Sequence, residues 1–315
     1  MNKKKIIIDT LGADMPVAKI CEGIKLNNNV NYHYVIVGPK IEIDEVLKNT
    51  DLSYEVVDTL DFIDNAENPI NIIRNRESSS LYMALTNTKS EDAIGMISAG
   101  STGAVMVGSM FILGLEEHLQ SAILACVLYK IDHKPFCLVD CGANVNPLPE
   151  DMKKFGELGS RFMKSYSNIN NPKVGLLSVG KEKRKGNELV KKAYDILESS
   201  DLNFIGNVEI DKVFTSDVDV LVCDGFSGNI LLKNTESVAL TITNKIVKEC
   251  CTNNDDLKKI QDSIYSLFAY NDNAGAILLG VKKLVIKVHG KANRLTIASA
   301  INQLIDLYNG GYNNK

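Results

Sequence analysis

Short apolar runs alternate with segments of helical periodicity along almost the whole chain. Most runs are rich in β-branched residues and apolar at consecutive positions, which is typical of parallel strands covered on both faces by helices. The pattern therefore predicts an α/β fold. The predicted strands are residues 5–9, 34–38, 54–58, 93–98, 123–129, 136–140, 174–179, 204–206, 218–223 and 284–288.

Helices are predicted in most of the gaps between these strands. Segments 104–113, 151–163 and 187–198 are examples, and the apolar positions of the last one recur at helical spacing. The longest predicted helix begins near Gly228, and a second amphipathic stretch follows a polar break. We expect a protruding helical hairpin over about residues 228–268, which could serve as a dimer surface or docking arm or simply pack against the body.

Length and charge bound the class of protein. The 315 residues show no internal repeat and no linker, so we expect a single α/β domain over residues 1–315. A net charge of −4 without a basic tract argues against a nucleic-acid partner. No signal peptide or membrane-spanning run is recognised. We therefore expect a cytoplasmic protein that could still dock on a membrane surface.

Cysteine usage indicates a reducing compartment. The seven cysteines are odd in number and include no Cys-x-x-Cys pair. Most lie in or beside apolar runs, where a free thiol behaves as a small hydrophobic group. We expect no metal site and no cofactor.

Two short motifs carry most of the functional signal. Residues 185–189 (KGNEL) and 224–229 (DGFSGN) each follow a predicted strand and open a predicted helix. Ligands of open α/β sheets bind at the carboxyl ends of strands, where helix-start amides attract anions. Lys185 adds a positive charge at such a helix start. Asp224 could cap the following helix or position a reacting group. The two motifs favour a phosphate site.

Three further turns lie at strand ends. Residues 98–103 (SAGSTG) suit a loop that grips an oxyanion, although such turns are also common as plain connections. Asp140 and Asn144 could hold a ligand or satisfy the backbone of their own turn. His289 follows the strand 284–288 and could be a site residue, but a lone histidine is more often structural.

Absent motifs narrow the field further. The sequence has no Gly-Lys-Ser/Thr of a Walker A loop, no Gly-x-Ser-x-Gly, no His-Glu-x-x-His and no Gly-x-Gly-x-x-Gly. Nucleotide-triphosphatase, serine-hydrolase, zinc-protease and Rossmann-dehydrogenase interpretations therefore lose their usual support.

With these motifs in order, the chain resembles the bacterial PlsX family of acyl-[acyl-carrier-protein]:phosphate acyltransferases. The matching stretches are collinear and span nearly the whole chain, so together they are far more specific than any one motif. They are residues 9–16, 67–69 with 78–79, 98–103, 140–144, 185–189, 204–209, 224–232 and 275–290. The chain departs from the usual family pattern at Ala13, Ser101 and Lys291, and residues 251–270 look shorter than the family's amphipathic hairpin.

The resemblance implies a three-layer α/β/α sandwich with a mainly parallel sheet, similar to isopropylmalate dehydrogenase and phosphotransacetylase. It also implies a homodimer that converts acyl carrier protein thioester and inorganic phosphate to acyl phosphate and free carrier protein in phospholipid biosynthesis. A peripheral contact at the inner face of the cell membrane would fit the family. Lys185 and Asp224 match the family's catalytic lysine and aspartate. The other candidate phosphate- or substrate-binding residues are Ser98, Gly100, Ser101, Thr102, Gly103, Asn144, Asn187, Gly225, Ser227, Asn229 and His289.

The residue chemistry agrees with this reaction. We hypothesise that Lys185 and amides of the 98–103 loop bind phosphate, while Asp224 orients it or relays its proton. One alternative is a short-chain phosphotransacylase, such as the acetyl-phosphate-forming component of an amino-acid reductase, which would need an acyl-carrying thiol such as Cys141. Another is a phosphate-binding protein without catalysis.

Overall fold

The computed structural model describes residues 3–250, 275–290 and 292–312. The chain divides into two compact units, one formed by Met1–Ala122 with Ala274–Lys315 and the other by Ile123–Asn273. The single domain expected from the sequence remains a prediction beside this division.

The described residues contain strands and helices in alternation. The strands are β1 (Lys5–Asp9), β2 (His33–Gly38), β3 (Ser53–Asp58), β4 (Ala93–Ser98), β5 (Ile123–Tyr129), β6 (Pro135–Val139), β7 (Lys173–Ser178), β8 (Asn203–Glu209), β9 (Val220–Val222), β10 (Ala276–Leu279) and β11 (Leu284–Lys287). The α-helices are α1 (Val17–Asn27), α2 (Lys40–Leu47), α3 (Ser80–Thr88), α4 (Thr102–Gly108), α5 (Pro149–Ser167), α6 (Glu188–Glu198), α7 (Gly225–Cys250) and α8 (Arg294–Asn309).

The first unit orders its strands β3-β2-β1-β4-β11-β10. All neighbours are parallel except β10, which runs antiparallel to β11. Strands β1 and β4 are buried almost throughout, because helices cover them; α3 packs on β1, β2 and β4, and α8 packs on β4 and β11. The continuous apolar runs of this unit are therefore explained by burial on both faces.

The second unit orders its strands β5-β6-β9-β7-β8. Strands β6, β9, β7 and β8 are parallel neighbours, and β5 pairs antiparallel with β6. Helix α5 packs on β6, β9 and β7 and also on α6, while α7 contacts β6. Parallel strands with helical cover confirm the predicted α/β class, a three-layer arrangement with a mainly parallel sheet.

Most predicted elements agree with the structure to within one or two residues. Strand β10 was not predicted, because four residues are too few to show a periodicity. The predicted helix at 104–113 is wrong in its second half, where Ser109–Leu113 forms a π-helical turn after α4 has ended. The second arm of the predicted hairpin lies outside the described residues.

Helix α7 is the longest helix of the described residues, with 26 residues. Up to residue 246, its buried positions recur every third or fourth residue and make one narrow stripe: Gly225, Gly228, Leu231, Thr235, Ala239 and Thr243. Phe226, Ile230, Val238 and Ile242 are apolar but exposed. Neither α7 nor any other helix in the described part of the chain is apolar over enough length to span a membrane.

Candidate active site

Three neighbouring strands of the second unit end at one edge. Val139 of β6 and Leu176 of β7 both pair in register with Val222 of β9. Because the three strands are parallel, the segments that follow them emerge at the same edge of the sheet. These segments are the turn 140–144, the start of α7 at 224–229 and the loop 179–187, which hold all the second-unit residues singled out from the sequence.

Asp140 is fully buried at the end of β6 and organises its turn. Its Oδ1 accepts hydrogen bonds from the backbone N–H groups of Leu124, Gly142 and Ala143 at 3.0–3.1 Å. Its Oδ2 accepts from the backbone and the side-chain amide of Asn144 at 2.6 and 2.8 Å. Five N–H donors therefore surround one carboxylate, and Asp140 has the structural role that the sequence left open.

Asp224 caps helix α7. Its Oδ1 accepts a hydrogen bond from the backbone N–H of Ser227 at 2.8 Å, and its Oδ2 accepts from the Ser227 hydroxyl at 2.7 Å. The side chain is only 8% exposed. These contacts are those of a helix N-cap. A catalytic role for Asp224 therefore has to coexist with capping, because both use the same carboxylate.

The two glycines of the 224–229 motif make room for the 140–144 turn. A Cβ at Gly225 would lie 2.8 Å from the Asn144 carbonyl oxygen, which accepts a hydrogen bond from the Gly225 N–H at 2.7 Å. A Cβ at Gly228 would lie 1.9 Å from the Asp140 carbonyl oxygen, which no side chain could tolerate. Asn229 lies beside Gly142, whose Cβ would be 3.8 Å from the Asn229 side chain. The motif thus locks the start of α7 onto the neighbouring turn.

Lys185 is exposed on the loop that follows β7. Its side-chain stem lies over Gly180, where a Cβ would be 2.8 Å from the Lys185 Cγ. Lys185 forms no ion pair within the part of the chain that the structure describes. Lys183, in contrast, lies 3.0 Å from the Asp195 carboxylate and also pairs with Glu198. The Lys183 ammonium is therefore paired with carboxylates of α6, whereas the Lys185 ammonium forms no such pair within the described residues.

Gly186 and Asn187 shape the start of α6. Gly186 has φ +103°, and a Cβ there would lie 2.6 Å from Val190. This backbone conformation favours glycine. The side chain of Asn187 accepts a hydrogen bond from the Val190 N–H at 2.9 Å and caps the helix. Asn187 is therefore held in a structural contact, and of the two candidate site residues at this helix start only Lys185 is charged.

Ser178 was not singled out from the sequence. It is the last residue of β7, and its buried hydroxyl has no hydrogen-bond partner within the described residues. The hydroxyl oxygen lies 3.3 Å from the position of a Cβ on Gly186. A buried hydroxyl without a partner carries a free-energy cost of about 1–3 kcal/mol. The only sequence signal was its position at the end of a strand that leads into the Lys185 loop.

Cys141 is poorly suited to carry an acyl group. Its thiol is 5% exposed, donates to the Leu124 carbonyl at 3.0 Å and lies 3.2 Å from the Cys126 sulfur. The hydrogen bond with Cys126 and burial hold the pKa of the Cys141 thiol well above its usual value. Because the thiolate is the nucleophile, a raised pKa disfavours attack by this residue.

The 98–103 loop lies in the first unit, at the ends of β4 and β11. Ser98 is fully buried and its backbone carbonyl accepts a hydrogen bond from the Val288 N–H at 2.9 Å. A Cβ on Gly290 would lie 3.8 Å from the Ala99 carbonyl oxygen. His289, which is exposed, therefore follows a strand end that is tied directly to the loop. In this unit, the candidate residues Ser98 and Gly100 therefore lie close to the residues on either side of His289.

The remaining loop residues have mixed surroundings. Ser101 precedes α4, is 6% exposed and makes no side-chain cap. Thr102 is exposed, whereas Gly103 packs so tightly on Pro69 that a Cβ would lie 2.6 Å from its Cγ. Gly103 therefore serves packing. Of the three loop residues with a hydroxyl group, Ser98 and Ser101 are buried and Thr102 is exposed.

Comparison with solved structures defines the class of fold. A phosphotransacetylase from Streptococcus pyogenes superposes with a TM-score of 0.67 at 16% identity, covering 99% of this chain and 95% of that one. A 4-hydroxythreonine-4-phosphate dehydrogenase from Klebsiella pneumoniae gives a TM-score of 0.56 at 10% identity over 97% of this chain and 99% of that one. The chain therefore has the α/β fold of the phosphotransacetylases.

Sequence comparison narrows the class to one family. The family model described as "Fatty acid synthesis protein" matches residues 4–315. The phosphate acyltransferase of Clostridium acetobutylicum is 38% identical over 313 residues, covering 95% of this chain and 94% of that protein. That of Clostridium novyi is 36% identical, covering 98% and 96%. The chain belongs to this family, the PlsX family of phosphate acyltransferases, and is an acyltransferase.

Proposed function

We propose that this acyltransferase moves the acyl group of an acyl carrier protein thioester to inorganic phosphate, giving acyl phosphate and free carrier protein for phospholipid biosynthesis. The family match over residues 4–315 and relatives named phosphate acyltransferase support the reaction type. On the same resemblance we also propose a cytoplasmic homodimer with a peripheral membrane contact. Lys185 and Asp224 are the proposed catalytic residues.

One structural observation carries the assignment of these two residues. Strands β7 and β9 are parallel neighbours, and Lys185 and Asp224 lie in the segments that follow their carboxyl ends. An ammonium and a carboxylate are thereby delivered to the same edge of one sheet. The buried hydroxyl of Ser178 lies at the base of the same loop and adds a hydrogen-bond donor.

The proposed step balances without a cofactor. An oxygen of hydrogen phosphate attacks the thioester carbonyl carbon, a C–O bond forms, and the C–S bond breaks. The carrier thiolate leaves and takes up the proton that the phosphate gives up, so the products are acyl phosphate and thiol. Negative charge builds on the carbonyl oxygen during the attack, beside the charge that the phosphate already carries, and the Lys185 ammonium would offset both. Asp224 would orient the phosphate or relay the proton.

Replacing Lys185 tests this proposal. We expect Lys185→Ala to lower turnover by about a hundredfold to a thousandfold, because one well-placed charge stabiliser is lost. The assay incubates the protein with palmitoyl-acyl carrier protein and phosphate and traps acyl phosphate with hydroxylamine. The thermal midpoint of the variant should stay close to that of the wild type, since Lys185 is exposed.

Lys183 offers a matched control two residues away. It has the same charge on the same loop, but its ammonium is paired with Asp195 and Glu198. Exposed ion pairs of this kind contribute little to stability. Lys183→Ala should therefore change turnover by no more than about twofold. This change is far smaller than the loss expected when a side chain that stabilises the developing charge is removed. Equal losses in the two variants, or near-normal activity of Lys185→Ala, would contradict the role assigned to Lys185.

The choice of acyl donor distinguishes this function from the alternatives. Hydroxamate from palmitoyl-acyl carrier protein supports the proposal, whereas hydroxamate only from acetyl-coenzyme A would support a short-chain phosphotransacylase. Hydroxamate from neither donor would support a phosphate-binding protein without catalysis. The buried thiol of Cys141 counts against the variant of the short-chain reaction that runs through an acyl-cysteine.

A further inference from the structure

Three polar residues form a row across the first unit where its central strands end. Asp9 ends β1, Ser98 ends β4 and Lys287 ends β11. Ser98 pairs in register with Asp9 on one side and with Lys287 on the other. All three are buried, with exposures of 2%, 0% and 9%. The reaction proposed above gives no role to the carboxylate or the ammonium of this row.

The row is connected to the 98–103 loop by two hydrogen bonds in series. The Ser98 hydroxyl donates to the Asp9 Oδ2 at 2.7 Å, and the same hydroxyl oxygen accepts from the Gly100 N–H at 3.1 Å. The amide of Leu11 also donates to the Asp9 Oδ1, at 3.4 Å. The direction of the first bond is fixed, because an ionised carboxylate can only accept. Ser98 is thereby left with lone pairs for Gly100.

The surroundings leave Asp9 able to titrate near neutral pH. Burial raises the pKa of the Asp9 carboxyl from 3.8 to about 6. The groups that oppose burial are the hydroxyls of Ser98 on β4 and Ser80 on α3, the Leu11 amide and the charge of Lys287 on β11. Lys287 is the charged group among them, and its ammonium also donates to the Val288 carbonyl.

We propose that Asp9 is a positioning residue for the 98–103 loop: its ionised carboxylate fixes the Ser98 hydroxyl, which fixes the Gly100 amide, so that loop order and phosphate binding depend on the charge of Asp9. The inference rests on the proposed function and on the hypothesis, drawn from the sequence, that amides of the 98–103 loop bind phosphate. Asp9 itself touches neither substrate nor reacting atoms in this proposal.

Protonation weakens the series for a simple reason. A neutral carboxyl gives one acceptor site to its own proton, and its carbonyl oxygen accepts less strongly than a carboxylate does. The Ser98 hydroxyl is then held less firmly, and the Gly100 amide loses a fixed acceptor. The first turn of the loop becomes less ordered as the pH falls through the range in which Asp9 takes up its proton.

Hydrogen exchange of the Gly100 amide tests this inference without any assay of activity. In the wild type, after correction for the intrinsic rate, we expect the amide to be protected at pH 7.5 and to lose about tenfold of that protection at pH 5, as for one net hydrogen bond. Asp9→Asn and Ser98→Ala should both show the low protection at both pH values. His289→Gln should keep the wild-type dependence, which separates Asp9 from the nearby imidazole.

Kinetics give a second readout. Asp9→Asn and Ser98→Ala should raise KM for phosphate about tenfold at pH 7.5 and remove the acid limb between the two pH values, because the interaction lost is about that of one hydrogen bond. The ionisation of free phosphate also changes between the two pH values, but it does so equally in every assay. It therefore cancels when the variants are compared with the wild type at one pH. Ser98→Ala removes a single oxygen and keeps the test open if Asp9→Asn fails to fold. Wild-type protection of Gly100 at both pH values in Ser98→Ala would overturn the inference, whereas an inactive wild type with normal exchange behaviour would overturn only the proposed function.

Discussion

Asp9 and Asp140 occupy equivalent places in the two units but have opposite surroundings. Each is a buried carboxylate where a parallel strand ends and a turn begins. Asp140 accepts five hydrogen bonds from N–H groups, all of them at 3.1 Å or less. Asp9 accepts one short bond from a hydroxyl and one long bond from an amide. The charge of Asp140 is well solvated by the protein, and that of Asp9 is not.

This difference separates a permanent structural group from an adjustable one. Backbone amides cannot withdraw from Asp140 without unfolding its turn, so the carboxylate and the turn stabilise each other. A serine hydroxyl can rotate, and a carboxyl that is poorly compensated for burial gains a proton easily. The 140–144 turn of the second unit is therefore held permanently by Asp140. The order of the 98–103 loop in the first unit depends instead on whether Asp9 is ionised.

The largest loss in the free energy of unfolding is expected when Asp140 can no longer hold the 140–144 turn. Asp140→Asn would turn an amide NH₂ toward N–H donors and leave at least two of them unpaired, so we expect a loss of about 3 kcal/mol in the free energy of unfolding. Urea unfolding at pH 7.5 measures it. The exposed Asp132→Asn is the control, with a change of less than about 0.5 kcal/mol. A loss as small as the control's would mean that Asp140 does not hold its turn.

Asp9→Asn should act in the opposite direction. The pKa of the Asp9 carboxyl in the folded state, about 6, lies above its ordinary value of 3.8. Its protonation therefore favours the folded state fully below about pH 4 and no longer above about pH 6. At pH 7.5 the ionised carboxylate costs stability, and Asn should raise the free energy of unfolding by up to about 3 kcal/mol, with little gain near pH 4.

Thermal unfolding of Asp9→Asn across this pH range is the measurement. A variant that is destabilised at pH 7.5, in the manner of Asp140→Asn, would show that the two carboxylates are equally well compensated. A stabilised variant with a disordered 98–103 loop would instead show that the ionised Asp9 is kept for function at the expense of stability.

The smallest effect concerns the third buried carboxylate, Asp224. Asn is as good an N-cap as Asp, so Asp224→Asn should leave stability within about 0.5 kcal/mol, while Asp224→Ala should lose about 1 kcal/mol. Both variants should lose turnover if the charge acts in the reaction. Full activity of Asp224→Asn together with a destabilised Asp224→Ala would reduce Asp224 to a helix cap.

The sequence was sufficient for the fold and for the location of the candidate turns. Strands such as β1, β4 and β5 were predicted to the residue, because their apolar runs, three to seven residues long, are bounded by polar residues or turns and leave few alternatives. The start of α6 was also predictable, since Asn187 sits directly before an apolar stripe and caps it. Local chemistry and periodicity decided these features.

The roles of individual motif residues were not predictable in the same way. The sequence predicts Gly225 as a phosphate-binding residue and Gly228 only as the start of a helix, whereas in the structure each makes room for the 140–144 turn, which is about eighty residues away in the chain. That contact exists only because β6 and β9 are neighbours in the sheet. The pairing of Asp9 with Ser98, and the burial of Cys141 against Cys126, likewise depend on which distant segments the topology brings together.

The seating of α7 also affects how motion can reach Asp224. A helix of 26 residues is about 39 Å long at the usual rise of 1.5 Å per residue. Its first turn packs so closely on the Asp140 carbonyl that a Cβ at Gly228 would lie 1.9 Å from the carbonyl oxygen. Because the helix is stiff and is held at its first turn, a force that displaces its far end would also act on this turn, where the Asp224 carboxylate caps the helix.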